Sequence, residues 1–253
     1  MDPESVASQP SDSLSLRAVR RSEWRWVIIA TAIILALTCI PYLAGWRLSA
    51  TSGLTFSGFV LGVEDGNSYL AKMGQGARGH WLFHIVYTSE PHDGVLFFSF
   101  HLLLGKVAAL LPAVLGDLPL RMIWVYHLAR LVCAAVLLAV AYRFVAEFLP
   151  ETALRRLAWL MISAGGGLGW LLLGLGLDDF QGGGPPLDFI LPEGFSFLTI
   201  FSLPHIALAR ALLAAGILVW WKAIRDTPRP APLQMRVPIE WRGGLLAGLL
   251  WLG

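Results

Sequence analysis

Long apolar runs separated by clusters of arginine organise this chain. The first, Val27 to Ala44, has Trp24 and Trp26 at one edge and Tyr42 and Trp46 at the other, and Arg17, Arg20, Arg21 and Arg25 precede it. A helix of about 20 apolar residues crosses the hydrocarbon core, aromatic side chains collect at both interfaces, and arginine stays on the cytoplasmic side. This run therefore predicts a membrane span with its start inside. It is longer than the apolar part of a signal peptide and lacks a small-residue cleavage site.

Three further runs have spanning length: Trp124 to Phe144, Leu157 to Leu177 and Pro204 to Ile224. Arg143, Arg155 and Arg156 lie around the first connection, and Lys222, Arg225, Arg229, Arg236 and Arg242 follow the last run. If Gly94 to Leu111 also crossed, parity would move the Arg143 to Arg156 connection outside, against the charge rule. With His101 and Lys106 inside it and Pro112 closing it, that stretch is expected to form an interfacial or re-entrant helix. Two external loops follow, Arg47 to Ile123 and Asp178 to Leu203, the second broken by Gly182-Gly183-Gly184-Pro185-Pro186. A last apolar run begins at Gly243 and stops at Gly253, so the chain reads as the N-terminal part of a longer protein. Met1 to Leu16 is polar and proline-containing; residues 1–23 are expected to be a disordered cytoplasmic tail and 24–253 a transmembrane domain.

Composition narrows the class. Hydrophobic residues are 56% of the chain and charged residues 14%, and the mean hydropathy is +0.65. An all-α polytopic protein of the cell membrane is expected, with membrane lipid as its surroundings. A net charge of +2 spread over loop clusters gives no face for nucleic acid. Cys39 and Cys133 fall inside apolar runs and read as small hydrophobes.

The chemistry-bearing tract is Val63-Glu64-Asp65-Gly66-Asn67-Ser68-Tyr69. On a helix, Asp65, Tyr69 and Lys72 share one face, bringing together a carboxylate, an aromatic surface and a cation. Asp65 is then either a base at the bilayer surface or the cap of a short helix, and the residues alone favour the cap. Elsewhere, His80 and His84 have the i, i+4 spacing of metal ligands, but no third ligand is placed and Trp81 to Phe83 read as an interfacial anchor. On these grounds no cofactor is assigned, and a divalent metal is left open without support. Gly165-Gly166-Gly167-Leu168-Gly169 lies within a predicted span, where small residues permit close helix packing. Among Asp178, Asp179, Asp188 and Glu193, which read mainly as a solvated acidic loop, Glu193 is kept as a candidate for substrate binding.

The order of these elements resembles the GT-C class of membrane glycosyltransferases. It has a first span starting inside, an external loop with Asp-x3-Tyr spacing, the Gly79-His80-Trp81 turn, a proline-marked interfacial helix and a second span containing Arg130. The nearest groups are the protein O-mannosyltransferase, aminoarabinose-transferase and Rgt-like bacterial families, and the resemblance covers Trp24 to Leu177. It implies a GT-C-like helix bundle with interfacial helices in the first external loop. It also implies transfer of a sugar from a polyprenyl-phosphate donor to an extracytoplasmic acceptor. Asp65 matches the active-site acid, Glu64 its acidic neighbour and Arg130 the arginine of the second span. The chain departs from the family in reading Glu-Asp for Asp-Glu, and Glu90-Pro91-His92-Asp93 where relatives carry lysine and proline.

Such a transfer needs a base for the acceptor hydroxyl and positive groups for the departing phosphate. Asp65, assisted by Glu64, fits the first; Tyr69, Lys72, Arg130, His205 and Arg210 fit substrate binding. Arg130 and Arg210 each lie six residues into a span, roughly 9 Å deep. They are expected either to form a phosphate pocket facing Asp65 with the helix start at Pro204, or to snorkel to the surface or pair with a loop acid such as Glu193. The competing readings are a carrier or permease, in which charges within spans mark a path, and a structural membrane subunit.

Overall fold

The computed structural model describes residues 17–177, 186–226 and 241–252. The expected tail over 1–16, Asp178, Asp179, most of the glycine-proline break, Arg229 and Arg236 lie outside the described residues.

Helix α1 (Arg21–Ser52) begins earlier than its apolar run. Glu23 accepts the Arg20 N–H at 3.0 Å and so closes the first turn. Glu23 is only 2% exposed, and Arg21 to Glu23 belong to the helical body. Then follow α2 (Val63–Ala77), α3 (Ser99–Leu110), α4 (Leu118–Phe148) and α5 (Thr152–Ala164). Three short helices come next, α6 (Gly169–Gly174), α7 (Leu187–Ile190) and α8 (Ser196–Ser202), and α9 (Pro204–Asp226) and α10 (Trp241–Leu252) end the series. No strand occurs among the described residues; Phe83 and Val95 form an isolated bridge.

Among the described residues, three helices are long and apolar enough to cross a membrane: Arg21–Ser52, Leu118–Phe148 and Pro204–Arg225. The lipid-type surface is plain on α1, where Ile28, Ile29, Ile33, Leu37 and Leu43 are each more than half exposed. At 12 residues, α3 is about 18 Å long and too short to cross, in line with the parity argument.

The expected span from Leu157 to Leu177 is not one helix. The chain leaves α5 at Ala164, passes Gly165 to Leu168 with Gly167 at φ 75°, and resumes as the six-residue α6. The cause is the buried Asp188 carboxylate, which accepts the Gly169 N–H at 2.8 Å. A Cβ on Gly169 would lie 2.2 Å from its Oδ1 and one on Gly167 2.5 Å from its Oδ2. These glycines admit a carboxylate to the backbone instead of a neighbouring helix.

The chain nevertheless returns between α4 and α9. Tyr126 near the start of α4 donates to the Ser202 carbonyl at 2.8 Å, just before α9, and Arg225 at the end of α9 pairs with Glu147 at the end of α4. The two helices are therefore parallel. Helix α1 runs against them: Glu23 meets Tyr142 (2.7 Å) and Arg155 (3.1 Å) at one end, and Tyr42 reaches the Phe201 carbonyl (2.7 Å) at the other. Helix α5 also runs against α4, with Arg155 at the Glu23 level and Trp159 donating to the Leu138 carbonyl at 2.8 Å.

The interior of this bundle holds Val27, Leu138, Tyr142, Trp159 and Ile200, with Ala134, Ala207 and Ala211 at its tightest points. A second core at the opposite end from Glu23 packs Phe59, Met73 and Ala108 against Met122, Val125 and Tyr126. It seats the α2–α3 pair on the start of α4, which positions the acidic tract.

Candidate functional site

Gly62 starts α2 from a left-handed conformation (φ 62°, ψ 49°), and no side chain caps the helix. Asp65 lies within the first turn, so it is not the cap. Gly66 fixes the rotation of the helix, since a Cβ there would enter the Phe59 ring at 2.4 Å. Asp65 and Tyr69 are thereby turned into a small cleft shared with Leu61, Tyr126, Pro192 and Leu203. Glu64 is exposed on the first turn and does not line this cleft.

Tyr69 is the centre of an aromatic group. It stacks on His101 (centroids 4.7 Å apart, 16° between planes), meets His205 edge-on at 4.9 Å and lies parallel to Tyr126 at 6.1 Å. His101 and His205 are themselves 4.9 Å apart. Lys72, one turn along α2, donates to Ser68 Oγ at 2.7 Å and holds its ammonium 4.2 Å from the centre of the Phe98 ring and 5.2 Å from that of Tyr69. Phe98, at φ 52°, is the non-glycine residue with positive φ among the described residues. That strain turns its ring beneath the lysine.

The electrostatics follow from burial and from these neighbours. Burial, then the negative charges of Asp65 and Glu193, push the Tyr69 hydroxyl up to about 12. Burial lowers Lys72, with Asp65 acting in the opposite sense. Burial, then His205 and Lys72, bring His101 down to about 3, so its imidazole is neutral at ordinary pH. His101 is 2% exposed and neither ring nitrogen has a hydrogen-bond partner. His101 of α3 is thus packed against α2 and α9.

Glu193 acts on Tyr69 through its charge and on Arg210 through its backbone carbonyl, which accepts from the guanidinium; Arg210 also donates to Thr199 Oγ1 at 3.1 Å. Arg210 thus ties down the turn that supplies Pro192 to the cleft. Arg130 is placed differently. It is 2% exposed, donates to Thr38 Oγ1 at 3.0 Å and contacts Cys39 Sγ at 3.5 Å, with its guanidinium 4.7 Å from the centre of the Tyr42 ring. Its guanidinium faces α1, and the structure does not bring Arg130 and Arg210 into the expected common pocket.

Asp65, Tyr69, Lys72 and His205 therefore come together, with Glu193 and Arg210 at the edge and Glu64 and Arg130 apart. His101 and Phe98 join them unannounced by the sequence. His80 and His84 are 5.4 Å apart between centroids. The nearby His92 has both nitrogens engaged, by the Ile85 N–H at 2.9 Å and the Glu90 carbonyl at 3.0 Å. Among the described residues no group of three or more His, Cys, Asp or Glu could hold a metal ion. The site offers a solvent-reached carboxylate, a cation without an ion pair among the described residues, the neutral imidazole of His101 and a stacked aromatic group. No family model matches the sequence, and no curated protein or solved structure is significantly similar to it.

Proposed function

We propose that this chain is part of a membrane-embedded glycosyltransferase that moves a sugar from a polyprenyl-phosphate donor to an extracytoplasmic acceptor. One observation carries the reading: Asp65 and Tyr69 open into a single cleft beside the start of α9, with Lys72 and His205 grouped around Tyr69. The acceptor oxygen attacks the sugar carbon, the bond from that carbon to the phosphate oxygen breaks, the hydroxyl proton passes to Asp65, and polyprenyl phosphate departs. Lys72 and His205 supply the positive or hydrogen-bonding groups for the departing phosphate. Tyr69, half-buried in the cleft wall, offers the sugar an aromatic edge. In this reading the N-terminus is cytoplasmic, the chain crosses the bilayer several times, and α2 and α3 lie at the external surface.

The test is consumption of a polyprenyl-phosphate hexose by the protein in membranes. Asp65→Asn keeps the size of the side chain and removes the base, so turnover falls about 100-fold or more. Glu64→Gln, outside the cleft, keeps turnover close to that of the native protein. Normal turnover in Asp65→Asn defeats the reading. A cysteine at Asn67, with Cys39 and Cys133 replaced, reacts with an impermeant reagent from the external side only; labelling from the cytoplasmic side defeats the orientation.

A further inference from the structure

Beside the Asp65 site, on the other flank of α2, lies a second and larger cleft of about 430 Å³. That is within the usual size of a small-molecule site, toward its lower end. Its floor is α2, its far wall is the segment around Phe83, Val86 and Tyr87, and its third side is Met122 near the start of α4. The far wall is held in place. Gln75, 4% exposed, donates to the His84 carbonyl at 2.8 Å and accepts the His84 N–H at 2.9 Å, and Phe83 exchanges two hydrogen bonds with Val95 at 2.9 and 3.0 Å. The cleft is therefore formed before any ligand arrives.

The charge in it is of one sign. Lys72 and Arg78 line it, no carboxylate does, and neither cation belongs to an ion pair among the described residues. Arg78 folds back along the helix, with Nη1 3.5 Å from where a Cβ on Gly74 would lie, which brings its guanidinium toward the level of Lys72. The rest of the lining is mostly apolar, and Val86 and Tyr87 are 61% and 80% exposed. Met122 lies near the start of a helix long and apolar enough to cross a membrane.

We propose that this cleft binds a single-chain amphiphile with a phosphate headgroup, the phosphate between Lys72 and Arg78 and the chain along Phe83, Val86 and Met122. The inference rests on the transfer reading and identifies the occupant as the lipid donor, because Lys72, which lines this cleft, holds its ammonium 5.2 Å from the centre of the Tyr69 ring, which lines the other. Arg78 is then a phosphate-binding residue and Val86 marks the path of the chain. The volume holds one phosphate and the first part of one chain, which disfavours a two-chain phospholipid.

The experiment measures binding of farnesyl phosphate, against farnesol, to the whole chain in phosphatidylcholine nanodiscs by native mass spectrometry. Farnesyl phosphate binds and farnesol does not. Arg78→Gln weakens binding about tenfold or more, as for one lost charge-assisted hydrogen bond, and Arg78→Lys recovers part of it. Val86→Trp, on an exposed wall, fills the chain path and weakens binding with both cations present. Native affinity in both Arg78→Gln and Val86→Trp overturns the proposal. So does loss of farnesyl phosphate binding in phosphatidylglycerol nanodiscs, which would make bulk anionic lipid the occupant. Weakened binding in Arg78→Gln with normal turnover in Asp65→Asn removes the transfer reading and keeps the cleft; the reverse pattern removes only the cleft.

Discussion

Gly105 of α3 crosses Met73 of α2 so closely that a Cβ on the glycine would stand 1.8 Å from the Met73 carbonyl oxygen. The contact is reciprocal: a Cβ on Gly76 would lie 1.9 Å from the Leu102 carbonyl oxygen. Backbone meets backbone, and this crossing holds His101 against Tyr69. Gly105→Ala must force the helices apart, at a cost of about 3 kcal/mol or more, beyond ordinary overpacking because no side chain can yield. Gly74→Ala meets only the flexible end of Arg78 at 3.5 Å, and the gain in helix propensity makes it neutral or stabilising by about 0.5–1 kcal/mol. Thermal unfolding of the two variants in detergent checks the contrast.

At the opposite end of the bundle, Glu23 joins three helices. Its carboxylate accepts from Tyr142 and pairs with Arg155 at 3.1 Å, and both charged partners are more than nine-tenths buried. Removing Glu23 strands a buried guanidinium, so Glu23→Ala is expected to cost about 3–5 kcal/mol. Tyr142→Phe removes one hydrogen bond to a charged acceptor and costs about 1.5–3 kcal/mol. A double mutant losing less than the sum of the two single losses shows that they act as one unit.

His101 gives the fold a pH dependence whose sign is fixed by its burial. Its pKa is about 3 in the folded chain against an ordinary 6.5. Between these values the unfolded chain binds the extra proton, so stability falls as pH drops below about 6.5 and continues to fall toward 3. Lys72 and His205 face the ring and oppose a second positive charge. His101→Phe keeps the stacking on Tyr69, removes two unsatisfied nitrogens and flattens the fall between pH 6.5 and 5. Unfolding midpoints measured across that range test it; an unchanged slope in His101→Phe assigns the dependence to another group.

The helical membrane class and the short α3 were legible because apolar length and arginine placement report directly on crossing. The face shared by Asp65, Tyr69 and Lys72 was legible from helical spacing, and the structure keeps it. The break at Gly167 was not, because it depends on Asp188, distant in sequence and arriving at the Gly169 N–H. His101 escaped for a similar reason. A histidine in a short apolar helix gives no sign of its burial until the Gly105–Met73 crossing is known.

Arg130 and Arg210 read alike in sequence, at matching depths in two spans, and the fold assigns them different work. Arg130 is bound inside the bundle to Thr38 and stacked on Tyr42, where a desolvated cation–π contact contributes about 2 kcal/mol. Arg130→Lys loses the planar stack and part of the hydrogen bonding, so stability drops while turnover per folded molecule stays native. Arg210 spans the Thr199 hydroxyl and the Glu193 carbonyl with two nitrogens of one fork. A lysine cannot hold both, and the turn carrying Pro192 into the Asp65 cleft is released. Arg210→Lys is therefore expected to lower turnover about tenfold with little change in the unfolding midpoint. Parallel measurement of midpoint and turnover in both variants decides between this division and a shared phosphate pocket, in which both substitutions weaken donor binding to a similar degree.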